Sequence, residues 1–265
     1  PSACYLEEDG IFVNTEGRTQ YARKAIQPPG KAKENWRIIR ALSEELGFVP
    51  NWLDLNGLRT DLLKEIYYTL QGEGYHTGRP AVFIRFSGCN LWTGYEKDRS
   101  GAICNWCDTD FVGTNGINGG KFSAEEITNI INKLWKGNVQ TEPYVVCTGG
   151  EPLLQMDESL IKAIHKVGFE IGLETNGTMI PPEGIDWICV SPKANTDLVL
   201  KNGNELKVVY PQCGMNPRMH EKLKFDHFYI QPMDGIDQKN NIKRSEKFVL
   251  DHPKWKLSLQ THKIL

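Results

Sequence analysis

The sequence lacks the features that mark membrane-spanning, secreted and polyanion-binding proteins. No stretch approaches the run of about 18 apolar residues that a spanning helix requires, and no leader with a cleavage site is present, so we expect neither membrane insertion nor secretion. The charge is balanced, with 31 basic and 33 acidic residues, which offers no basic surface to nucleic acid. These absences predict a cytoplasmic protein that acts on a small molecule, with no nucleic-acid or membrane partner.

The cysteines do not suggest a disulfide framework, because their number is odd, seven, in a sequence without secretory features. Three of them, Cys89, Cys104 and Cys107, fall within nineteen positions in a polar, glycine-rich segment. Cys147 and Cys189 instead lie in short apolar runs. The first three are therefore predicted to be thiolate ligands, and the other two to be packing residues.

The position and spacing of these three cysteines favour iron–sulfur chemistry. Cys89 follows a predicted strand at its carboxyl end, where parallel α/β folds build their sites. Thiolates select zinc, copper(I) or iron–sulfur, and no fourth cysteine or well-spaced histidine completes a structural zinc site. Three ligands leave one iron of a [4Fe–4S] cluster open for reaction. Zinc completed by a distant histidine, or three incidental loop cysteines, are the alternatives.

Short apolar runs rich in β-branched and aromatic residues predict eight buried strands in the region from Lys64 onward. The predicted strands span residues 66–70, 81–86, 144–147, 169–173, 187–190, 206–210, 227–230 and 255–259. A capping box of Ser123 and Glu126 and a cap at Asp157 predict helices between strands. Strands alternating with helices predict parallel βαβ units. The region is shorter than the about 250 residues of a closed barrel, so we expect an α/β fold with a partial (β/α) barrel.

The first 62 residues differ from the rest and form a predicted non-catalytic domain, with residues 63–265 as the catalytic one. Only the stretch from Trp36 to Leu46 shows helical periodicity, with Asn35 as its predicted cap. One helix cannot form a core, and a stretch this short usually needs disulfides, metal or a partner to fold.

Residues 1–50 resemble part of the large iron–sulfur subunit of NADH-quinone oxidoreductase, in its molybdopterin-oxidoreductase-like region. The residues that carry the resemblance are Asn14, Glu16, Gly17, Arg18, Pro28, Pro29, Gly30 and Trp36. None of that family's cluster ligands is included, so the resemblance implies no activity for this segment.

Residues 62–265 carry motifs of a different family. The segments TLQGEGYHTGRPAVFIRFSGCNLW and CNWCDTDF surround the cysteines, and CTGGEPLLQ, ETNG, VSPK, QPMDG and LSLQTHK follow. Together they resemble 7-carboxy-7-deazaguanine synthases, which are radical S-adenosylmethionine (SAM) enzymes. The fourteen residues between Cys89 and Cys104 match a subgroup of that family.

The resemblance implies a carbon–nitrogen lyase of queuosine and 7-deazapurine biosynthesis. Its reaction contracts the ring of 6-carboxy-5,6,7,8-tetrahydropterin to 7-carboxy-7-deazaguanine with loss of ammonia. The implied cofactors are a [4Fe–4S] cluster, SAM and Mg²⁺, and the implied partners are a flavodoxin-like or similar electron donor and a second copy of the chain in a homodimer.

Site residues follow from the same motifs. The cluster ligands would be Cys89, Cys104 and Cys107, and Thr109 would bind Mg²⁺. The SAM contacts would be Trp106, Cys107, Asp108, Gly150, Ser191, Pro192, Lys193, Gln231, Pro232, Met233 and Asp234. The substrate contacts would be Leu70, Gln71, Gly72, Arg85 and Thr148.

Residue chemistry is compatible with these roles. The Arg85 guanidinium can pair with a carboxylate in two places, although it could instead pair with a structural acid. The Gln71 amide can donate and accept towards a pterin edge. Glycine at position 150 lets backbone groups approach a ligand closely.

Two other functions remain open at this point. Gly88-Cys89-Asn90-Leu91 is shared with activases that generate a glycyl radical on a partner protein, and such an enzyme would lack a pterin pocket. Residues 1–50 raise a non-enzymatic alternative, an interaction module of a respiratory complex.

Overall fold

The computed structural model describes residues 10–13, 19–22, 25–27, 29–46, 61–138 and 141–263. The chain divides into two compact units, Pro1–Thr60 and Asp61–Leu265. Among the described residues, no helix combines the length and the apolar character needed to cross a bilayer.

The described residues of the first unit include a pair of strands and a helix. Strands β1 (Gly10–Val13) and β2 (Thr19–Ala22) pair antiparallel, and helix α1 spans Asn35–Glu45. The helix confirms the sequence prediction, but Asn35 is its first residue and not its cap. This strand pair was not predicted, because β1 and β2 are four residues long and the sequence from Glu7 to Arg18 is mostly polar with two glycines.

A single mixed sheet of nine strands forms the second unit, in the order β11-β10-β9-β8-β7-β6-β4-β3-β5. Strands β4 and β6 to β11 run parallel, whereas β3 is antiparallel to both β4 and β5. The strands are β3 (Asp61–Leu70), β4 (Pro80–Phe86), β5 (Gly120–Phe122), β6 (Tyr144–Gly149), β7 (Glu170–Thr175), β8 (Trp187–Val190), β9 (Asn202–Tyr210), β10 (Lys224–Pro232) and β11 (Lys256–Leu257). All eight predicted strands are present, and β5 is an addition.

Three α-helices are described in this unit: α2 (Ala124–Leu134), α3 (Glu158–Lys166) and α4 (Gln238–Asp251). Short 3₁₀ helices span Glu96–Gly101, Pro152–Leu154, Pro217–His220 and Thr261–Lys263. No described helix joins β7 to β8 or β8 to β9, so the predicted alternation of strand and helix holds only in part. The β7–β8 connection contains Pro181, Pro182 and Gly184, which disfavour a helix.

Both predicted helix starts are confirmed. The Ser123 side chain accepts a hydrogen bond from the Glu126 backbone N–H, and the Glu126 carboxylate accepts one from the Ser123 N–H. Asp157 accepts from the Leu160 N–H. Each cap satisfies an N–H that the helix leaves unpaired, which stabilises the helix by about 0.5–2 kcal/mol.

Two large apolar cores lie among the described residues of the second unit. The first contains side chains of β3, β4, β6 and β7 with those of α2 and α3, including the fully buried Ile84, Ile127 and Ile164. The second contains side chains of β8, β9 and β10 and of the segment around Trp255. Cys147 and Cys189 are buried, which confirms their predicted packing role. The first core packs α2 and α3 against one face of the sheet. The opposite face is polar near the carboxyl ends of the strands, where it carries Arg85 and Glu174, and it also holds a small buried apolar cluster of Ala81, Tyr144 and Val146.

We expect a chain shortened to residues 61–265 to fold on its own, because the nine-stranded sheet and both cores lie within it. In urea it should unfold in one cooperative transition, with the same midpoint as that transition in the full chain. Far-ultraviolet circular dichroism and tryptophan fluorescence would follow it. A fragment without a cooperative transition would contradict the expectation.

Candidate active site

A cavity of about 490 Å³ opens on the polar face of the sheet, near the carboxyl ends of the parallel strands. Its walls come from β3, β4, β6, β7, β9 and β10 and from the loops that follow them. Most of the residues that the sequence predicts for the site line it. They are Leu70, Gln71, Gly72, Arg85, Cys89, Cys104, Trp106, Cys107, Asp108, Thr109, Thr148, Gly150, Ser191, Lys193 and Gln231.

Four predicted residues, Pro192, Pro232, Met233 and Asp234, do not line this cavity. The two prolines are buried, and the Met233 N–H donates to the Tyr210 carbonyl at 2.8 Å. Asp234 contacts the cavity wall only indirectly, because its carboxylate pairs with Lys263, which lines the cavity.

The three cysteine thiols face the same cavity. Burial raises the pKa of Cys89 to about 11. Burial also raises the pKa of Cys104 to about 12; the positive charge of Lys193 opposes this rise, and the neighbouring Cys89 and Cys107 add to it. Without a bound cation these two thiols stay protonated at neutral pH, so binding of metal must be coupled to loss of their protons.

A cluster fits this donor set better than a single ion does. In the described part of the chain, no three His, Cys, Asp or Glu side chains converge closely enough to hold one metal ion. A tetrahedral zinc site needs such convergence, with sulfur about 2.3 Å from the metal. In a [4Fe–4S] cluster each thiolate binds a different iron, so the three sulfurs need not meet at one point.

The turn after β6 packs directly on the Cys89 loop. A Cβ atom at Gly150 would lie 2.0 Å from the Gly88 carbonyl oxygen and 2.9 Å from Cys89 Cβ, so only glycine fits. The Gly150 N–H donates to the Phe86 carbonyl at 3.3 Å. The predicted ligand-binding turn and the first cysteine therefore form one packed unit.

Glu151 is a residue of this turn whose role sequence reasoning missed. It is fully buried and accepts hydrogen bonds from Thr175 Oγ1 at 2.8 Å and from the N–H groups of Asn176 and Leu153 at 2.8 and 3.1 Å. Burial raises the pKa of its carboxyl. Glu151 thus joins the turn after β6 to the end of β7.

Arg85 pairs with an acid of the neighbouring strand, as one sequence interpretation allowed. Its Nε donates to Glu65 Oε1 and its Nη2 donates to Tyr67 Oη, both at 2.8 Å. A guanidinium has five N–H donors, so others remain for a ligand. The pairing holds the guanidinium in place at the cavity wall without using all of its donors.

Four charged residues, which we call the acidic floor, lie at or beside the deep end of the cavity: the buried Glu205 and Lys207 and the half-buried Glu73 and Glu174. The Lys207 side chain is only 3% exposed, and its Nζ lies 2.8 Å from Glu73 Oε2 and 3.0 Å from Glu174 Oε2. Gln71 Nε2 donates to Glu174 Oε1 at 3.2 Å. The sequence carried a signal for this floor, because Glu205 and Lys207, two positions apart in a strand, place charged side chains on the same face of β9.

The floor carboxyls differ in their protonation. Burial alone would raise the pKa of Glu73, but the Lys207 ammonium, which donates to it, lowers that pKa to about 2. Burial raises the pKa of Glu205 despite the same ammonium. Glu73 is therefore ionised at neutral pH, and Glu205 holds a proton more readily than an ordinary carboxyl does.

The C-terminal segment closes one side of the cavity. The Thr261 N–H donates to the Gly72 carbonyl at 3.0 Å. Lys263 Nζ lies 2.5 Å from Asp108 Oδ2 and 2.6 Å from Asp234 Oδ2. His262, to which the sequence assigned no role, also lines the cavity.

In sequence, this chain is similar to curated 7-carboxy-7-deazaguanine synthases. That of Bordetella pertussis is 54% identical over 204 residues, which are 77% of this chain and 97% of that protein. The synthase of Bradyrhizobium diazoefficiens is 55% identical over the same shares. That of Bacteroides thetaiotaomicron is 41% identical over 203 residues, 77% of this chain and 96% of that protein.

In structure, the chain is similar to the crystal structure of QueE from Escherichia coli. The TM-score is 0.57 at 25% identity, covering 79% of this chain and 99% of that one. The likeness confirms the partial barrel. A family model described as molybdopterin oxidoreductase matches residues 1–45, which agrees with the separate resemblance of residues 1–50.

We expect Lys207→Met to destabilise the second unit strongly, because it leaves the floor carboxylates buried without their cation. Breaking a buried pair in this way costs about 3–5 kcal/mol. Urea unfolding would measure it. The matched control is Lys162→Met, because Lys162 pairs with Glu158 at 3.1 Å on an exposed helix face and its loss should cost under about 1 kcal/mol. Equal effects of the two variants would contradict the assignment.

Proposed function

This chain belongs to the 7-carboxy-7-deazaguanine synthase family, and from that premise we propose which of its residues carry each part of the reaction. The function is the radical SAM ring contraction of 6-carboxy-5,6,7,8-tetrahydropterin to 7-carboxy-7-deazaguanine with loss of ammonia, in queuosine biosynthesis. The observation that carries the proposed roles is that the three cysteine thiols and the Arg85 guanidinium line one cavity.

The cluster and SAM sites fit the residues present. Cys89, Cys104 and Cys107 would hold the cluster through sulfur, the donor that iron–sulfur groups require. Gln231 Oε1 is buried and has no hydrogen-bond partner among the described residues, so it offers a free acceptor to a bound ligand. When bound, the cluster and SAM would supply radical chemistry for removal of a hydrogen atom from the substrate.

Around SAM, the chain supplies binding and exclusion of water. Trp106, Cys107, Asp108, Gly150, Ser191, Pro192, Lys193, Gln231, Pro232, Met233 and Asp234 are the proposed contacts. Lys193 Nζ donates to Ser191 Oγ at 2.6 Å and lies 5.7 Å from the centre of the Trp106 ring. This arrangement keeps a positive charge beside an aromatic wall, where a ligand carboxylate would find a partner.

At the substrate end, Arg85 is proposed to bind the pterin carboxylate with the donors that Glu65 and Tyr67 leave unused. Leu70, Gln71, Gly72 and Thr148 would surround the ring. The carboxylates of Glu73 and Glu174 are acceptors, and the amino group and ring N–H of a pterin are donors. We therefore add both acids to the proposed substrate site. The protonated Nζ of Lys207 donates to Glu73 and keeps its carboxylate ionised.

Mg²⁺ at Thr109 is a finer proposal. A hydroxyl is a weak magnesium ligand, and Mg²⁺ commonly retains several waters and takes other oxygens from its substrate. Thr109 lines the cavity, so a substrate carboxylate held by Arg85 could share the ion with it.

The remaining proposals concern partners and location. We propose a flavodoxin-like or similar electron donor, a homodimer, and a cytoplasmic setting in which the thiols stay reduced. Residues 1–62 are proposed to be non-catalytic, with residues 63–265 as the catalytic domain.

The glycyl-radical activase is disfavoured, because the cavity offers the polar groups that a pterin requires. The interaction module would be supported only by co-purification with a respiratory complex.

We expect Cys89→Ala, Cys104→Ala and Cys107→Ala each to abolish both the visible absorbance of the cluster and turnover, because each removes one of three thiolates. Anaerobic reconstitution with iron and sulfide, then mass analysis of the product, would measure both. Cys213→Ala is the control, because Cys213 is exposed and has no proposed role. Turnover retained in any of the three variants would refute the three-ligand site.

We expect Arg85→Lys to weaken binding of the carboxypterin by about tenfold to a hundredfold, because a lysine ammonium cannot reproduce a two-point pair with a carboxylate. Its affinity for the same pterin without the carboxylate should not change. Anaerobic equilibrium binding of the two pterins separates the outcomes, and an equal loss for both would contradict the assigned partner.

A further inference from the structure

The fourteen residues between Cys89 and Cys104 form a structured insert, and none of them has a role in the proposed reaction. Its centre is the 3₁₀ helix Glu96–Gly101. Thr93 Oγ1 donates to Asp98 Oδ2 at 2.8 Å, and the Ile103 N–H donates to the Leu91 carbonyl at 3.3 Å. The insert therefore folds back on itself and returns the chain to Cys104.

Arg99 is the residue of this helix that reaches the cysteine loop. Its Nη1 donates to the carbonyl oxygens of Asn105 and Cys107, each at 3.0 Å. The other edge of the guanidinium pairs with Glu96, with Nε to Oε2 at 2.6 Å and Nη2 to Oε1 at 2.5 Å. One cation thus connects the insert to the segment between the second and third cysteines.

The flat face of the Arg99 guanidinium also packs against an aromatic ring. Its central carbon lies 4.2 Å from the centre of the Trp92 ring, and Trp92 is 7% exposed and packs edge-on against Phe111 at 5.6 Å. Since Trp92 and Phe111 line the cavity, Arg99 rests on its wall. Contacts on two edges and one face leave the cation little freedom of position.

The Cys104–Cys107 turn depends on those contacts. Within the turn, the Cys107 N–H donates to the Cys104 carbonyl at 3.1 Å. The carbonyls of Asn105 and Cys107 point at Arg99 and at no other donor that the described residues provide. A positive charge fixed beside Cys107 also lowers the energy of adding negative charge to the group that its sulfur holds.

We propose that Arg99 is a positioning residue for the iron–sulfur site, which orients the Cys104–Cys107 turn and makes the bound cluster easier to reduce. The proposal rests on the proposed cluster at Cys89, Cys104 and Cys107. Reduction adds one electron from an external one-electron donor, dithionite in the test below. Arg99 makes and breaks no covalent bond and gives up no proton in that step, since a guanidinium stays protonated.

The test uses the full chain, reconstituted anaerobically with iron and sulfide. It measures iron loss to a chelator and the midpoint potential of the cluster in a titration with dithionite. Arg99→Met should lose iron about threefold to tenfold faster, because hydrogen bonds from a charged donor are lost. Its potential should become more negative. Glu96→Gln keeps the guanidinium but removes the carboxylate charge, so its potential should become more positive.

Arg218→Met is the matched control. Arg218 also lies on a 3₁₀ helix and faces an acid three residues on, Glu221, at 3.7 Å, but it does not line the cavity. It should match the wild-type chain in both measurements. Arg99→Lys restores a charge but not the fork, so it should recover most of the potential and little of the iron retention.

The potentials of the Arg99 and Glu96 variants each support or overturn the proposed role of Arg99. An Arg99→Met potential equal to that of the wild type overturns the proposal, and so do shifts of the same sign in Arg99→Met and Glu96→Gln, which would indicate general loosening. If Arg99→Met holds no cluster, the sign of the Glu96→Gln shift decides in its place. If the wild-type chain itself assembles no cluster, the proposed function fails first, and that failure is distinct from the others.

Discussion

The contact between the turn after β6 and the loop after β4 is the constraint on which the site depends. Phe86 and Gly149 lie opposite each other at the ends of two parallel strands. The segments that follow them, Gly88–Cys89 and Gly150–Glu151, then pack directly against each other. Glycine at position 150 allows the approach, and the Glu151 N–H donates to the Gly88 carbonyl at 3.0 Å. Glu151 then carries the connection to β7. A side chain at position 150 would push the first cysteine away from the turn that accompanies it.

The other end of the barrel is closed by the β3–β4 loop, and the acidic floor holds that closure. Glu73 of this loop pairs with Lys207, and the Tyr75 N–H donates to Glu205 Oε2 at 3.1 Å. The Tyr75 ring stacks on Trp187 at 4.9 Å and on His227 at 4.3 Å. A buried ammonium is costly unless it is paired, and Lys207 pairs with both Glu73 and Glu174. The same groups therefore close the barrel and present acceptors to a ligand.

Much of the architecture could be predicted because it depends on local patterns. The strands appear as short β-branched runs, and the caps at Ser123 and Asp157 are satisfied within three residues. The strand pair of the first unit and β5 were not predicted, because these strands of three or four residues lie among polar residues and glycines, whereas the equally short β8 is an uninterrupted apolar run. The connections from β7 to β9 carry no described helix, although parallel strands are usually joined through helices, and within the second unit the sequence predicts helices only after Ser123 and Asp157.

The sequence by itself determined the donor chemistry: three clustered cysteines, a glycine-rich turn after a strand, and an arginine on the strand before the first cysteine. These are decided by residue type and by spacing along the chain. Only the tertiary structure decided which charges meet, namely Arg85 with Glu65, Lys207 with Glu73 and Glu174, and Arg99 with the carbonyls of the cysteine turn. Partners such as Lys207 and Glu73 are far apart in sequence, and the energy of a charge pair depends on distance and burial, which sequence spacing does not reveal.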